Sequence, residues 1–311
     1  MSFKEQLKGK DMLTLADYSK AEIAYLLELA AQIKKKHKNG IPYQPLNGKT
    51  LGMIFEKSST RTRVSFETGI YQLGGMGLFL SSNDIQLGRG ETISDTAKIL
   101  SGYLDGIMIR TFSQQDVEDL AENATVPVIN GLTDDYHPCQ VLADLQTIQE
   151  EKGSLEGRKL AYIGDGNNMA HSLMIGCAKM GLDVAIAAPK DYQPKSEIIE
   201  LASSFANGSE VIVTEDATEA VKDADVIYSD VWASMGQEAE QKEREKSFAN
   251  YQVNDALFAQ AKADAIFMHC LPAHRGEEVT ASIIDGPQSV VFQEAENRLH
   301  AQKALMVALM S

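Results

Sequence analysis

Only three cysteines, Cys139, Cys177 and Cys270, occur in the chain, and no two of them form a CxxC pair. That excludes a disulfide framework and a zinc knuckle as organising devices. No apolar run is long enough to cross a bilayer, and Met1-Ser2-Phe3-Lys4-Glu5-Gln6 has no signal-peptide pattern, so the expected location is the cytoplasm, with no membrane partner. Basic residues are scarce beside acidic ones. The 29 Lys and Arg against 44 Asp and Glu leave a formal net charge of −15, which argues against nucleic acid as a partner. Nucleotide-loop glycines are also missing. Asn47-Gly48-Lys49-Thr50 ends like a phosphate loop, but the glycine required five residues before Gly48 is Tyr43. Gly164-Asp165-Gly166-Asn167-Asn168-Met169 follows a strand pattern as a dinucleotide fingerprint would, yet methionine stands where its last glycine belongs. A nicotinamide dehydrogenase is therefore excluded, and no cofactor is expected.

What the chain does have is a hydroxyl- and arginine-rich turn. Thr50-Leu51-Gly52-Met53-Ile54-Phe55 reads as a buried strand, and Val64, Phe66, Ile70 and Leu73 as one face of a helix. Between them, Ser58, Ser59, Thr60, Arg61, Thr62 and Arg63 sit at a strand-to-helix turn. The first N–H groups of a helix lack partners and its dipole makes that end positive; hydroxyls and forked guanidiniums complete a seat for a phosphate-like dianion. The bland alternative is an N-capped helix with a solvated basic face. Against the acidic background of this chain the concentration of arginine is more informative.

The 311 residues allow two domains of ordinary size, and 44% hydrophobic with 23% charged residues is ordinary for a soluble globular protein. Residues 14–38 read as an amphipathic helix, followed by strands at 50–55, 78–80, 106–109 and 126–130, with helices at 64–73, 92–104 and 138–150. At Leu155 the chain starts again: Leu46-x-Gly48-x-x-Leu51-x-x-Ile54 recurs as Leu155-x-Gly157-x-x-Leu160-x-x-Ile163. Strands follow at 159–163, 183–187, 210–213, 225–228 and 265–268. The alternation predicts an α/β protein of two doubly wound parallel-sheet domains, 1–150 and 151–293, with a helix at 294–311 packing back on the first and a ligand site in the interdomain cleft.

Two strands are comparable across the halves. Asp105 to Arg110 ends in an arginine, and Asp225 to Asp230 ends in an aspartate. That polarity suits an anion held by the first domain and a cation, such as an ammonium, by the second. Val231-Trp232-Ala233-Ser234-Met235-Gly236 and the charged run after it suggest a lid beside an ordinary solvated helix. His269, Cys270 and His274 invite a metal reading, but strand neighbours point to opposite faces and no fourth ligand cluster exists, so no metal is expected. The same objection meets a Cys–His nucleophile; a buried, inert cysteine is the plain alternative.

Ser59-Thr60-Arg61-Thr62-Arg63, Arg110-Thr111, His137-Pro138-x-Gln140, Asp230-x-x-x-Ser234-Met235-Gly236, His269-Cys270-Leu271-Pro272 and Glu294-Ala295-Glu296-Asn297-Arg298 together resemble the carbamoyltransferase family over nearly the whole chain. The Ser-Met-Gly and His-Cys-Leu-Pro motifs are similar to those of its ornithine-specific branch. The resemblance implies carbamoyl transfer from carbamoyl phosphate to the δ-amino group of L-ornithine, giving citrulline and phosphate in arginine metabolism. It implies that Ser59, Thr60, Arg61, Thr62 and Arg298 hold the phosphate. Arg61, Arg110 and His137 would polarise the carbonyl, and Gln140, Cys270 and the Leu271 carbonyl would meet the carbamoyl group. Asn168, Asp230, Ser234 and Met235 would bind ornithine, with Asp230 and Cys270 handling the proton of its amine. Family members form trimers, in which Gln86 would reach a neighbouring subunit's site. A non-catalytic dianion-binding module would explain the hydroxyl-rich turn and Arg110 but leave His137, Asp230, Ser234 and Cys270 without a joint purpose.

Overall fold

The computed structural model describes residues 2–87, 90–234 and 238–311, and the chain divides into two compact units. One comprises Met1–Gln146 with Glu296–Ser311, the other Thr147–Ala295. Among the described residues the first unit holds strands β1 (Thr50–Phe55), β2 (Met76–Ser81), β3 (Gly106–Arg110) and β4 (Val128–Leu132), all parallel, in the order β2-β1-β3-β4. The second holds β5 (Lys159–Ile163), β6 (Asp183–Ala187), β7 (Val211–Thr214), β8 (Val226–Ser229) and β9 (Ile266–His269), also all parallel, in the order β7-β6-β5-β8-β9. Strands β1, β3, β5 and β8 are almost wholly buried, as parallel strands covered on both faces must be, which is why they read as continuous apolar runs.

The sequence repeat is a repeated structural device. Gly48 and Gly157 both take a left-handed φ, of 78° and 76°, to turn the chain into β1 and β5. Asp105, just before β3, accepts from the Thr50 N–H at 2.9 Å and the Lys49 ammonium at 2.8 Å. Asp225, just before β8, accepts from the Lys159 N–H at 2.9 Å and the Arg158 guanidinium at 3.0 Å. Each aspartate locks the start of two adjacent strands, so their far ends come out level. In both sheets the neighbouring strands β1/β3 and β5/β8 depart from the row in opposite directions, making those two gaps the topological switch points, where α/β sheets place ligands.

Element boundaries differ from the sequence expectation where capping decides them. The first long helix begins at Lys20, because Ser19 and Glu22 form a capping box; Leu15–Asp17 is a separate 3-10 turn. The helix after β1 starts at Thr60 rather than 64, with Ser59 as N-cap, so hydroxyl residues lie inside its first turn. The helix expected at 92–104 ends at Ser101 and the strand expected at 126–130 runs from Val128 to Leu132. The helix Gln114–Asn123 has no counterpart in the sequence reading. The last helix runs Val291–Met310, and its second half is buried in the first unit. It lies so close to the helix Thr60–Gln72 that a Cβ on Gly69 would come within 3.0 Å of Met306, and Ser65 and Gln302 exchange hydrogen bonds there.

Candidate active site

In the first unit three strand ends deliver the predicted residues to one place. Beyond β1, the Ser59 hydroxyl accepts from the Thr62 N–H at 3.2 Å, fixing the helix N-terminus. At the end of β3, Arg110 Nη1 donates to Thr62 Oγ1 at 3.3 Å. From the last helix, Arg298 Nη2 donates to the same oxygen at 3.2 Å, and its Nη1 donates to Gln140 Oε1 at 2.7 Å. Gln140 is turned by Asp144, which accepts from its amide at 2.8 Å. Thr62, Arg110, His137, Gln140 and Arg298 are all buried, while Ser59 and Arg61 are half-buried and Thr60 is exposed. His137, in the connection after β4, feels the positive field of this group. Burial and then the charges of Arg298, Arg110 and Arg61 hold its pKa well below the usual 6.5, so it is neutral at neutral pH and can offer a hydrogen bond without charge.

Arg63 does not join them. Its guanidinium stacks on Phe79 at 3.7 Å and pairs with Glu67 at 3.3 Å on the exposed side of the helix, so only one arginine of the pair at the turn faces the anion seat. Gln86 is exposed, in the segment that follows β2.

In the second unit the equivalent strand ends carry different chemistry. Asp230 follows β8 and Cys270 follows β9, and Cys270 Sγ donates to Asp230 Oδ1 at 3.1 Å. Asn167 caps the helix Asn168–Met180 through its Oδ1, which accepts from Met169 and Ala170, while its Nδ2 donates to Asp230 Oδ2 at 3.0 Å. Asn168 is the first residue of that helix and, like Ser234, half-buried; Met235 and Gly236 lie outside the described residues. Asn167 thus caps the helix and holds Asp230 at once, and no sequence signal distinguishes it from its neighbour Asn168.

His269 and Cys270 are not kept apart by strand alternation. Cys270 lies past the end of β9, and donor atoms of Asp230, His269 and Cys270 come within 4.8 Å of one another. Both ring nitrogens of His269 are engaged by protein groups. His269 Nδ1 accepts from the Leu271 N–H at 2.9 Å, which leaves the ring proton on Nε2, facing Glu278 Oε1 at 3.1 Å. The bond also holds Leu271 at a left-handed φ of 59°, a conformation a branched residue adopts only under constraint. Glu278, completely buried, is part of this support, and nothing in its sequence context distinguishes it from Glu277.

The loop that imitates a dinucleotide fingerprint is closed by its own chain. A Cβ on Gly166 would stand 2.2 Å from the Pro194 nitrogen, so that glycine is needed for backbone packing and not for a pyrophosphate. Next to it, Asp165 Oδ2 accepts from Arg244 Nη1 at 2.6 Å; Arg244 also donates to the Trp232 carbonyl at 2.9 Å and to Glu240 at 3.0 Å. The helix Gln241–Ser247, expected to be solvated throughout, is anchored by this buried arginine. Burial outweighs the attraction of Arg244 and pushes the Asp165 pKa up to about 6.

Residues 10–150 match the carbamoyl-P binding domain, and residues 156–309 the Asp/Orn binding domain, of aspartate/ornithine carbamoyltransferases. The chain belongs to the aspartate/ornithine carbamoyltransferase family. It is 70% identical to the ornithine carbamoyltransferase of Oceanobacillus iheyensis over 309 residues, covering 99% of this chain and 96% of the relative. It is 64% identical to that of Bacillus subtilis, covering 98% and 95%. Among solved structures, the ornithine carbamoyltransferase from Pyrococcus furiosus superposes with a TM-score of 0.95 at 57% identity, covering 98% of each chain. The second family match runs through residues 296–309, which pack in the first compact unit. No helix among the described residues is long and apolar enough to cross a membrane.

Proposed function

We propose that this carbamoyltransferase moves the carbamoyl group of carbamoyl phosphate to the δ-amine of L-ornithine, releasing citrulline and phosphate. The observation that carries the reading is the Cys270–Asp230 contact at 3.1 Å, in a chain 70% identical to a protein named ornithine carbamoyltransferase. An aspartate-directed site has a second carboxylate to neutralise; this one presents a carboxylate and a thiol, which suit an ammonium.

The phosphate is held by the first turn of the helix Thr60–Gln72, with Ser59, Thr60, Arg61, Thr62 and Arg298 as its ligands. Arg61, Arg110 and neutral His137 stabilise the oxyanion that forms when the carbonyl carbon becomes tetrahedral. Gln140 and the Leu271 carbonyl orient the carbamoyl amide. Asn168, Asp230, Ser234 and Met235 hold the amino acid, and Asp230 with Cys270 takes the proton that the amine must lose before attack, since free amines are protonated at neutral pH. The amine nitrogen bonds to the carbonyl carbon, the carbon–oxygen bond to phosphate breaks, and phosphate leaves with that electron pair. The reaction also requires the exclusion of water, which competes for the carbamoyl group.

The working protein is a homo-oligomer, a trimer or a multiple of trimers in the cytoplasm, in which Gln86 completes a neighbouring subunit's phosphate site. In support, β2 is the edge of the first sheet and exposes Met76, Leu78 and Phe79 beside Val64 and Tyr71.

Purified protein incubated with carbamoyl phosphate and, separately, ornithine, putrescine or aspartate decides the reading by phosphate release and product formation. Citrulline from ornithine with little turnover of the others is the expected result. Preference for putrescine or aspartate would retain the first unit's assignments and overturn those of the second, and no turnover at all would leave a dianion-binding module.

A further inference from the structure

We infer that Glu294 is a positioning residue for the carboxylate–thiol pair: it clamps the two strand ends whose next residues are Asp230 and Cys270. Glu294 lies in the first turns of the helix Val291–Met310 and is completely buried. Its Oε1 accepts from the Tyr228 hydroxyl at 3.0 Å, and its Oε2 from the His269 N–H at 2.9 Å. Tyr228 stands two residues before Asp230 on β8; His269 stands one residue before Cys270 on β9. One carboxylate thus reaches both arms of the Cys270–Asp230 contact without touching either reacting group.

The clamp acts where the sheet stops helping. Register pairing between β8 and β9 ends at Ser229 and His269, and the residues beyond have no ladder to align them. Each arm is tied in further. The Tyr228 ring stacks on Tyr162, with centroids 6.0 Å apart, and the Tyr162 hydroxyl donates to Asn167 Oδ1 at 3.3 Å, beside the amide that holds Asp230. On the other arm, His269 holds the Leu271 N–H and so fixes the chain on both sides of Cys270. Reacting groups misplaced by about 1 Å lose roughly a hundredfold in rate, and hydrogen bonds to a buried carboxylate are the kind of support that prevents such drift.

In Glu294→Gln, the amide oxygen can keep the His269 N–H while the amide nitrogen donates to the Tyr228 hydroxyl, which accepts as well as donates. The clamp survives. In Glu294→Leu, similar in volume, both bonds are lost. Tyr228→Phe removes one arm only.

The inference rests on the proposed reaction only for its kinetic readout, so a second readout is needed that does not. Cys270 is partly exposed whereas Cys139 and Cys177 are buried, so alkylation by iodoacetamide, followed by peptide mass, reports on Cys270. The groups near its sulfur are Asp230 just after β8, His269 beside it in its own segment, and Tyr162 from β5. In the Leu variant the alkylation rate against pH should move to lower pH, because the Asp230 charge no longer stands beside the sulfur; in the Gln variant it should follow the parent. With ornithine and carbamoyl phosphate, kcat/KM for ornithine should fall about a hundredfold in the Leu variant and little in the Gln variant. Parent-like alkylation and kinetics in folded Glu294→Leu would overturn the clamp. If that variant does not fold, Tyr228→Phe decides, and a parent-like profile there overturns it equally. Should the parent fail to carbamoylate ornithine, the proposed function fails while the alkylation comparison still tests the clamp.

Discussion

Arg61 and Arg63 are two residues apart and end in different surroundings. On a helix, a spacing of two turns side chains nearly to opposite faces, so Arg61 acts on His137 while Arg63 stacks on Phe79 outside. The residues converging on Thr62 Oγ1 show the same logic in reverse: Arg110 and Arg298 are remote in sequence and share one oxygen. The carbonyl of carbamoyl phosphate gains negative charge in the transition state, and Arg110 is fixed in advance by that bond. Arg110→Gln should therefore lower kcat by about 10²–10³-fold, with the affinity for phosphate lowered much less, as initial rates and equilibrium binding of phosphate would show. An equal loss in both would mean that Arg110 binds phosphate and does not serve the carbonyl.

At the scale of elements, two features of the second unit look like one thing in sequence and serve another in the structure. The glycine-rich loop after β5 imitates a nucleotide loop, but Gly166 is glycine because the Pro194 backbone leaves no room for a Cβ. Gly166→Ala should destabilise the protein by about 1–3 kcal/mol and displace Asn167, visible as a lower denaturant midpoint together with a raised KM for ornithine. The charged run after Ser234 looks solvated, yet Arg244 is drawn in by Asp165 and the Trp232 carbonyl. Hydrogen bonds to charged groups contribute about 1.5–3 kcal/mol. Arg244→Leu should accordingly raise KM for ornithine by roughly ten- to a hundredfold while carbamoyl phosphate affinity holds, and quenching of the Trp232 fluorescence by acrylamide should increase as its segment loosens. Periodicity could not reveal either feature, since both are contacts between segments far apart in the chain.

For the whole molecule, three buried groups contribute to how stability responds to acid. His137 is held well below its usual range and His300 near about 4, so between there and 6.5 the unfolded chain binds more protons than the folded one. Their contribution is present above about 6.5 and is lost as pH falls. Asp165, pushed up to about 6, runs the other way: the folded state keeps its proton above the usual 3.8, so this contribution is lost as pH rises towards 6. Two groups oppose one, and the denaturant midpoint should fall from about pH 7 to about pH 5, less steeply in His300→Gln and more steeply in Asp165→Asn. The proposed oligomer makes a separate prediction. If Gln86 serves a neighbour's site, mixing unfolded Gln86→Ala and Cys270→Ala chains and refolding them together should restore activity that neither has alone. Absence of recovery in mixed oligomers would confine each site to one chain.

The sequence by itself determined the alternation of strands and helices, the restart at Leu155 and the chemistry placed at each strand end. Those are local properties: burial on both faces makes a strand uniformly apolar, and a hydroxyl before a helix caps it. It also carried the motifs that mark the family, because each is a short contiguous run. Only the tertiary structure decided which arginine faces the anion seat, that Asn167 holds Asp230, that Arg244 is anchored, and that Glu278 and Glu294 support the residues around Cys270. Those pairings join segments up to 79 residues apart for Arg244 and Asp165, and 63 apart for Asn167 and Asp230. A carboxylate or an amide has the same letter whether it meets solvent or a buried donor; the strand order and register choose its partner.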